Sequence, residues 1–275
     1  MTAAIPLLGF GTYPLVGEAA ERGVLMALDV GYRHLDTAQA YGNEKSVGAA
    51  LRRSGLPRSE IFVTTKIGPD KTDAASFMPA AERSVADLGG PVDLLLIHWP
   101  PPDGQVDGAI ECLAAAAEAG LARHIGVSNF PAALMRRATA RSPVKLVNNQ
   151  VEFHPLIDQG TVLAEARKLG MTLSAYCPLA RGRVLQEPAI IEIARRHGRP
   201  PSEIALRWII QQGVAALPMT TKRANAESNF RALGFTLEDE DMAAISTLRC
   251  RHLRLVSPAS MAGRWDSQDD AHVSL

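Results

Sequence analysis

Four side chains of unlike chemistry stand where short apolar runs end: Asp36, Lys66 and His98 each close such a run, and Tyr41 follows Asp36 in the adjoining loop. Together they suit delivery of a proton to a carbonyl oxygen. A tyrosine hydroxyl, with an ordinary pKa of about 10, is a weak acid near neutrality. An ammonium beside it stabilises the phenolate and lowers that pKa, while a carboxylate holds the ammonium in place. A neutral imidazole donates a hydrogen bond to the same oxygen and orients the carbonyl. Each residue also has a plainer use. Asp36 and Lys66 suit a structural salt bridge, Tyr41 a packing ring, and His98, before Trp99 and Pro100, a satisfied buried ring. Charges at apolar strand ends are costly unless paired, which makes Asp36 and Lys66 natural partners. Their occurrence on three consecutive run ends favours a joint chemical role. Glu152, His154 and Tyr176 are further polar residues near the ends of later runs.

The elements that must position them recur along the whole chain. Apolar runs at 7–13, 32–38, 61–67, 92–99, 124–130, 146–153, 172–179 and 214–221 read as strands. Most are continuously apolar, as expected when both faces of a parallel sheet are covered. Amphipathic helices are expected between them at 18–30, 44–53, 75–88, 108–119, 131–140 and 161–169. Gly31, Gly55, Gly89, Gly120 and Gly170 stand just past helical stretches, where a left-handed residue is wanted. Two helices, 188–197 and 202–212, are expected between the last two strands, with Ser202 and Glu203 opening the second. A helix near 224–233 completes the alternation.

This pattern predicts an α/β fold, a (β/α)8 TIM barrel in one domain over 1–275, with the barrel at about 5–235. A further helix at 239–248 and a polar tail carrying Trp265, Asp266, Asp269 and Asp270 are expected to lie over one barrel mouth. An open dinucleotide-binding sheet is disfavoured, because Gly9-Phe10-Gly11-Thr12-Tyr13-Pro14 lacks the third glycine of GxGxxG.

Composition narrows the function classes. The chain has 275 residues, 47% of them hydrophobic, with 29 Lys and Arg against 29 Asp and Glu. A net charge of zero lacks the basic footprint that phosphate backbones require, so no nucleic-acid partner is expected. Cys112, Cys177 and Cys250 have no CxxC spacing, which suits a reducing compartment and offers no zinc site. The N-terminus lacks a basic n-region, and no apolar run approaches a membrane span, so a cytoplasmic protein is expected.

The motifs around these residues resemble the aldo-keto reductases. Gly31-Tyr-Arg-His-Leu-Asp36-Thr-Ala-Gln-Ala-Tyr41-Gly-Asn-Glu44 is similar to that family's first signature, and Thr64-Thr65-Lys66 and Leu96-Ile97-His98-Trp99-Pro100 carry the rest of its tetrad. The resemblance implies a catalytic set of Asp36, Tyr41, Lys66 and His98, with Tyr41 as general acid in the reduction of aldehydes and small ketones by hydride transfer from a nicotinamide cofactor. It further implies that Ser128, Asn129 and Gln150 hold the nicotinamide carboxamide and that Tyr176 stacks on the ring. Gly11, Thr12, Pro178 and Leu179 are implied as further cofactor contacts, and Asn229 as the adenine contact.

Thr220-Thr-Lys222-Arg223 with Glu227-Ser-Asn229, and Arg254-Leu-Val-Ser-Pro258 with Trp265-Asp266, are similar to the bacterial branch acting on 2,5-diketo-D-gluconate and methylglyoxal. The wider family grips an adenosine 2′-phosphate with Pro-Lys-Ser and an Arg six residues past the Lys. Here Pro218 is followed by Met219 and Thr220, and Asn225 replaces the Arg. Lys222 remains for the phosphate, with the hydroxyls of Thr220 and Thr221, so NADPH is expected with room for NADH. A cation beside a phosphate is worth roughly 1–3 kcal/mol. Tyr13 and Trp99 are expected to line the substrate pocket with Tyr41 and His98. Gly68 stands where larger members carry a pocket aromatic, and the 101–107 loop is short, which points to an open mouth for small polar oxo compounds. A monomer is expected, since the family is mostly monomeric.

Two other readings start from the same residues. His34, Asp36, His98, His124 and His154 near strand ends suggest a barrel metal hydrolase, but no HxH spacing occurs, and those three additional histidines read as structural. No metal is expected. A non-catalytic nucleotide-binding subunit on the same scaffold is disfavoured by the intact tetrad. A serine hydrolase fails because Ser128 lacks the following glycine of a nucleophile elbow.

Overall fold

Strands and helices alternate along the chain in a computed structural model that describes residues 5–266 and 271–272. Apart from a two-residue pairing of Leu253–Arg254 with Ala271–His272, the strands are β1 (Phe10–Gly11), β2 (His34–Asp36), β3 (Phe62–Ile67), β4 (Val92–Ile97), β5 (Ala122–Ser128), β6 (Leu146–Glu152), β7 (Thr172–Tyr176) and β8 (Val214–Ala216). All pair in parallel, in sequence order. Leu8 bridges Ala216, the Gly9 N–H donates to the Ala216 carbonyl (2.9 Å), and the Gly11 N–H donates to the Pro218 carbonyl (3.0 Å). The sheet therefore curls until its first and last strands meet. Both of these strands are shorter than their apolar runs. β1 stops where Thr12 turns its N–H and its hydroxyl to the Asp36 carbonyl, each at 3.0 Å. β8 stops before Pro218, which has no N–H for a ladder.

The helices are α1 (Gly17–Val30), α2 (Glu44–Arg53), α3 (Ala74–Leu88), α4 (Val106–Glu118), α5 (Ala132–Arg141), α6 (Gly160–Lys168), α7 (Pro188–His197), α8 (Pro201–Gln211), α9 (Arg223–Arg231) and α10 (Asp239–Ser246). β4 shows why its run is continuously apolar from Leu94 onward. Leu94 and Leu96 meet Ile5, Val147 and Ala215 inside the curled sheet, whereas Leu95 and Ile97 pack in the larger core under the helices. Each such leucine contributes about 1.5–3 kcal/mol by leaving water.

The five glycines expected past helices all have left-handed φ, from 65° at Gly170 to 119° at Gly31. Gly48 on α2 serves a different need, because a Cβ there would lie 2.1 Å from the Asp87 carbonyl oxygen of α3. The start of α8 differs from the sequence reading. Pro200 is its N-cap and Pro201 its first residue, so Ser202 lies within the first turn and caps nothing. Proline's fixed φ suits that turn, whose N–H groups lack helical partners. Of the tail residues noted above, Asp269 and Asp270 lie outside the described residues.

Candidate active site

The C-terminal ends of the strands surround a cavity of about 730 Å³. β2 ends on Asp36, β3 carries Lys66 opposite Leu96 of β4, and His98 follows β4 directly. Lys66 is wholly buried beneath the cavity, and its three N–H bonds have three acceptors. Its Nζ lies 2.7 Å from Asp36 Oδ1, 2.7 Å from the Thr37 carbonyl and 3.4 Å from the Tyr41 hydroxyl. Tyr41 sits in the short turn after β2, its ring centroid 5.1 Å from Tyr13 and 5.7 Å from His98. Asn43 fixes that turn. It accepts from the Thr37 hydroxyl (2.5 Å) and donates to Thr12 Oγ1 (3.1 Å) and the Leu15 carbonyl (2.8 Å). The four groups singled out in the sequence thus converge.

Their electrostatics differ from the sequence reading at one point. Tyr41 was expected to have a lowered pKa, but burial raises it, and the nearby Lys66 ammonium only partly opposes that. The hydroxyl therefore keeps its proton at neutral pH and is available as a donor. Burial pulls the Lys66 pKa down, but the Asp36 carboxylate foremost, with the hydrogen bonds to Asp36 and Tyr41, outweighs it, and the net shift is upward. Lys66 therefore stays an ammonium. His98 is lowered to about 3, by burial and then by Lys66, so its ring is neutral at ordinary pH.

Because the unfolded chain takes up this proton near pH 6.5, the associated stability is complete above that value and lost as pH falls toward 3. Urea midpoints measured from pH 7 down to 4 should decline, and His98→Asn should flatten part of that decline. His34, also lowered by burial, contributes in the same direction.

On the other side of Asp36 lies a polar floor. Gln150 Nε2 donates to Asp36 Oδ2 (2.6 Å), the Ser128 hydroxyl to the Gln150 carbonyl (2.8 Å), and the Tyr176 hydroxyl to Asn129 Oδ1 (2.8 Å). Asn129 Nδ2 donates to the His98 carbonyl (3.0 Å) and to Ser128 Oγ (3.1 Å). Amide and hydroxyl groups beside the Tyr176 ring form a donor set suited to a planar ring bearing a carboxamide. Among the described non-glycine residues, positive φ occurs at Asn129, Cys177, Ala180, Arg181 and His252, and three of these five line the cavity. Backbone held in that sparsely populated region is commonly found at ligand sites.

Gly11, Thr12, Tyr13, Asp36, Tyr41, His98, Trp99, Ser128, Asn129, Gln150, Tyr176, Pro178 and Leu179 all line this cavity. Thr220, Thr221, Lys222 and Asn229 do not. They lie beyond Pro218 and Met219, which do, in the loop after β8 and on α9. Arg223 is held by Asp29 (2.6 Å) and Glu227 (2.9 Å), which leaves exposed Lys222 as the cation there. The sequence reading did not include Cys177, Arg181, Gly182, Leu217 or Val256 among the lining. Val256 reaches the cavity because the C-terminal segment folds back, and Trp265 of that segment meets Trp99 edge-on, 6.4 Å between ring centroids.

Two of the additional histidines have structural partners. His34 bonds to the Pro6 carbonyl and Thr64 Oγ1, and His154 to Glu152. Half-buried His124 lines a smaller pocket with Arg33, Asp93 and Arg123. Among the described residues no group of three or more His, Cys, Asp or Glu is arranged to hold a metal ion.

Comparison with known proteins points the same way. A sequence model of the aldo/keto reductase family matches residues 7–249. Methylglyoxal reductase DkgB of Escherichia coli O157:H7 is 39% identical over 267 residues, which cover 96% of this chain and 100% of that protein. The Yersinia pestis protein of the same name is 40% identical, with the same coverage. A crystal structure described as a candidate 2,5-diketo-D-gluconic acid reductase B superposes with a TM-score of 0.92 at 42% identity, covering 96% of this chain and 94% of that one. The aldose reductase of Schistosoma japonicum superposes at 0.87 with 29% identity, covering 94% of this chain and 93% of its own.

Proposed function

The chain belongs to the aldo/keto reductase family, and on that premise we propose that it is an NADPH-dependent reductase of small polar aldehydes and ketones, methylglyoxal and diketo-sugar acids among them. Carbonyl reduction follows from the family. The substrate class, the cofactor preference and the residue roles below are our reading. The observation that carries it is the chain of contacts from Asp36 through Lys66 to the Tyr41 hydroxyl, on the floor of a cavity that His98 also faces.

Ser128, Asn129 and Gln150 suit the carboxamide of a nicotinamide, Tyr176 its ring, and Gly11, Thr12, Pro178 and Leu179 the remaining contacts within the cavity. Thr220, Thr221, Lys222 and Asn229, at the far end, suit an adenosine phosphate and its base. When bound, the reduced dinucleotide supplies a hydride to the carbonyl carbon. Tyr41 gives its proton to the oxygen as negative charge develops there. Lys66 stabilises the phenolate left behind, Asp36 holds Lys66 charged, and neutral His98 donates to the same oxygen. Tyr13 and Trp99 form the apolar walls, and the segment carrying Val256 and Trp265 covers part of the mouth. We read the protein as one domain, monomeric and cytoplasmic. Its three unpaired thiols support a reducing compartment.

Initial rates with NADPH and NADH against methylglyoxal, 2,5-diketo-D-gluconate, benzaldehyde and a steroid ketone test this reading. The small oxo compounds should show the highest kcat/KM. NADPH should be favoured by about tenfold, the effect of one exposed phosphate contact. A strong preference for the steroid ketone would overturn the substrate assignment, and a preference for NADH would overturn the role of Lys222.

A further inference from the structure

Glu152 and His154 take no part in the chemistry above, yet both are wholly buried at the end of β6. The Glu152 carboxylate accepts three N–H bonds: from the Leu255 backbone (2.7 Å), the Val256 backbone (2.9 Å) and His154 Nε2 (2.9 Å). His154 Nδ1 accepts the Leu156 N–H (3.3 Å), so the ring proton sits on Nε2 and is donated to Glu152. Two of the three donors therefore belong to a segment more than 100 residues further along the chain. The same segment is secured beside them, with the Leu253 N–H donating to the Leu156 carbonyl (2.8 Å) and the Arg254 guanidinium lying 3.8 Å from the Trp265 ring.

We propose that Glu152 is a positioning residue for substrate selection: its buried carboxylate clamps residues 255–256, and so holds the Val256 and Trp265 wall of the carbonyl pocket in place. The inference rests on the functional reading above. Val256 lines the cavity and Trp265 packs on the lining residue Trp99, so whatever fixes this segment fixes the space beyond the reacting carbon. Hydrogen bonds to a buried carboxylate are stronger than neutral ones, and residues 255–256 lie just past the two-residue pairing of Leu253–Arg254 with Ala271–His272, where among the described residues no strand partner replaces them. Glu152 faces Tyr176 across β6 and β7, but among the described residues its carboxylate bonds only to His154 and to the 255–256 backbone, and to neither Tyr41 nor Lys66. Loosening it should weaken the hold on the substrate's substituent and spare the proton transfer.

Two variants test this from opposite ends. Glu152→Gln keeps the shape but turns one acceptor into a donor, and Leu255→Pro removes a clamped N–H while leaving the barrel interior untouched. With benzaldehyde, chosen because its ring is the apolar substituent this wall would hold, each should raise KM about tenfold, with kcat within about threefold and the KM for NADPH within about twofold. The double variant should be no worse than the more affected single one, because both break the same contact. Trypsin should cut after Arg254 at least about tenfold faster in Glu152→Gln, since cleavage of an opened segment follows its open population; Leu255→Pro is read by its KM alone, because trypsin does not cut before proline. Unchanged KM for benzaldehyde in both variants, or parallel loss of kcat and of NADPH affinity, would overturn the proposal. If the parent protein reduced no carbonyl at all, the functional reading would fail, and the trypsin rates alone would decide whether the clamp exists.

Discussion

Tyr41→Phe is expected to lower kcat by about three powers of ten while leaving NADPH binding within about threefold and the melting temperature nearly unchanged. A positioned general acid contributes roughly 10²- to 10⁴-fold, and its interaction with the oxygen matures only in the transition state. The variant keeps the ring that packs against Tyr13 and His98, at 5.1 and 5.7 Å. Lys66 loses its longest contact (3.4 Å) and keeps Asp36 and the Thr37 carbonyl, both at 2.7 Å. A loss confined to kcat therefore separates proton donation from packing. Steady-state rates with methylglyoxal, fluorescence titration of NADPH and thermal denaturation read the three effects. Near-normal turnover would remove Tyr41 from the chemistry.

Lys66→Met should be worse for the protein as a whole. Asp36 is 4% exposed, and with the ammonium gone its carboxylate retains the Gln150 amide but no cation. Removing one partner of a buried pair typically costs 3–5 kcal/mol, because a charge is left uncompensated out of water. Turnover should fall at least as far as in Tyr41→Phe, since nothing then stabilises the phenolate. Adding Asp36→Asn removes the stranded charge, and the double variant should recover much of the stability and none of the activity. Urea denaturation of the two single variants and the double closes this cycle. A double variant whose loss equals the sum of the two single losses would show that the pair is not coupled.

The strand runs were legible because parallel strands covered on both faces must be largely apolar, as β4 is from Leu94 to Ile97. The tetrad was legible for the converse reason: Lys66 and Asp36 interrupt such runs at a cost that only a partner can offset. Less could be read where a contact depends on irregular chain. The left-handed stretch at Ala180, Arg181 and Gly182 has no periodicity, so nothing in the sequence placed Arg181 in the cavity wall. Val256 reaches the cavity through a carboxylate on β6, and a spacing of 104 residues is invisible to any local pattern. Proton affinity was equally hard to read. The sign of the Tyr41 shift turns on how deeply the ring is buried, and the neighbouring charge alone suggested the opposite direction.

The joint action of the cavity and its four polar side chains is tested most directly by isotope transfer. The protein is given methylglyoxal and NADPH carrying two deuterium atoms at C4 of the nicotinamide, and the product alcohol is weighed by mass spectrometry. The account predicts one deuterium, bonded to carbon at the former carbonyl position, in product formed by the parent protein and nearly none formed over the same time by Tyr41→Phe. Alcohol formed without label, or labelled equally fast by both proteins, would contradict it.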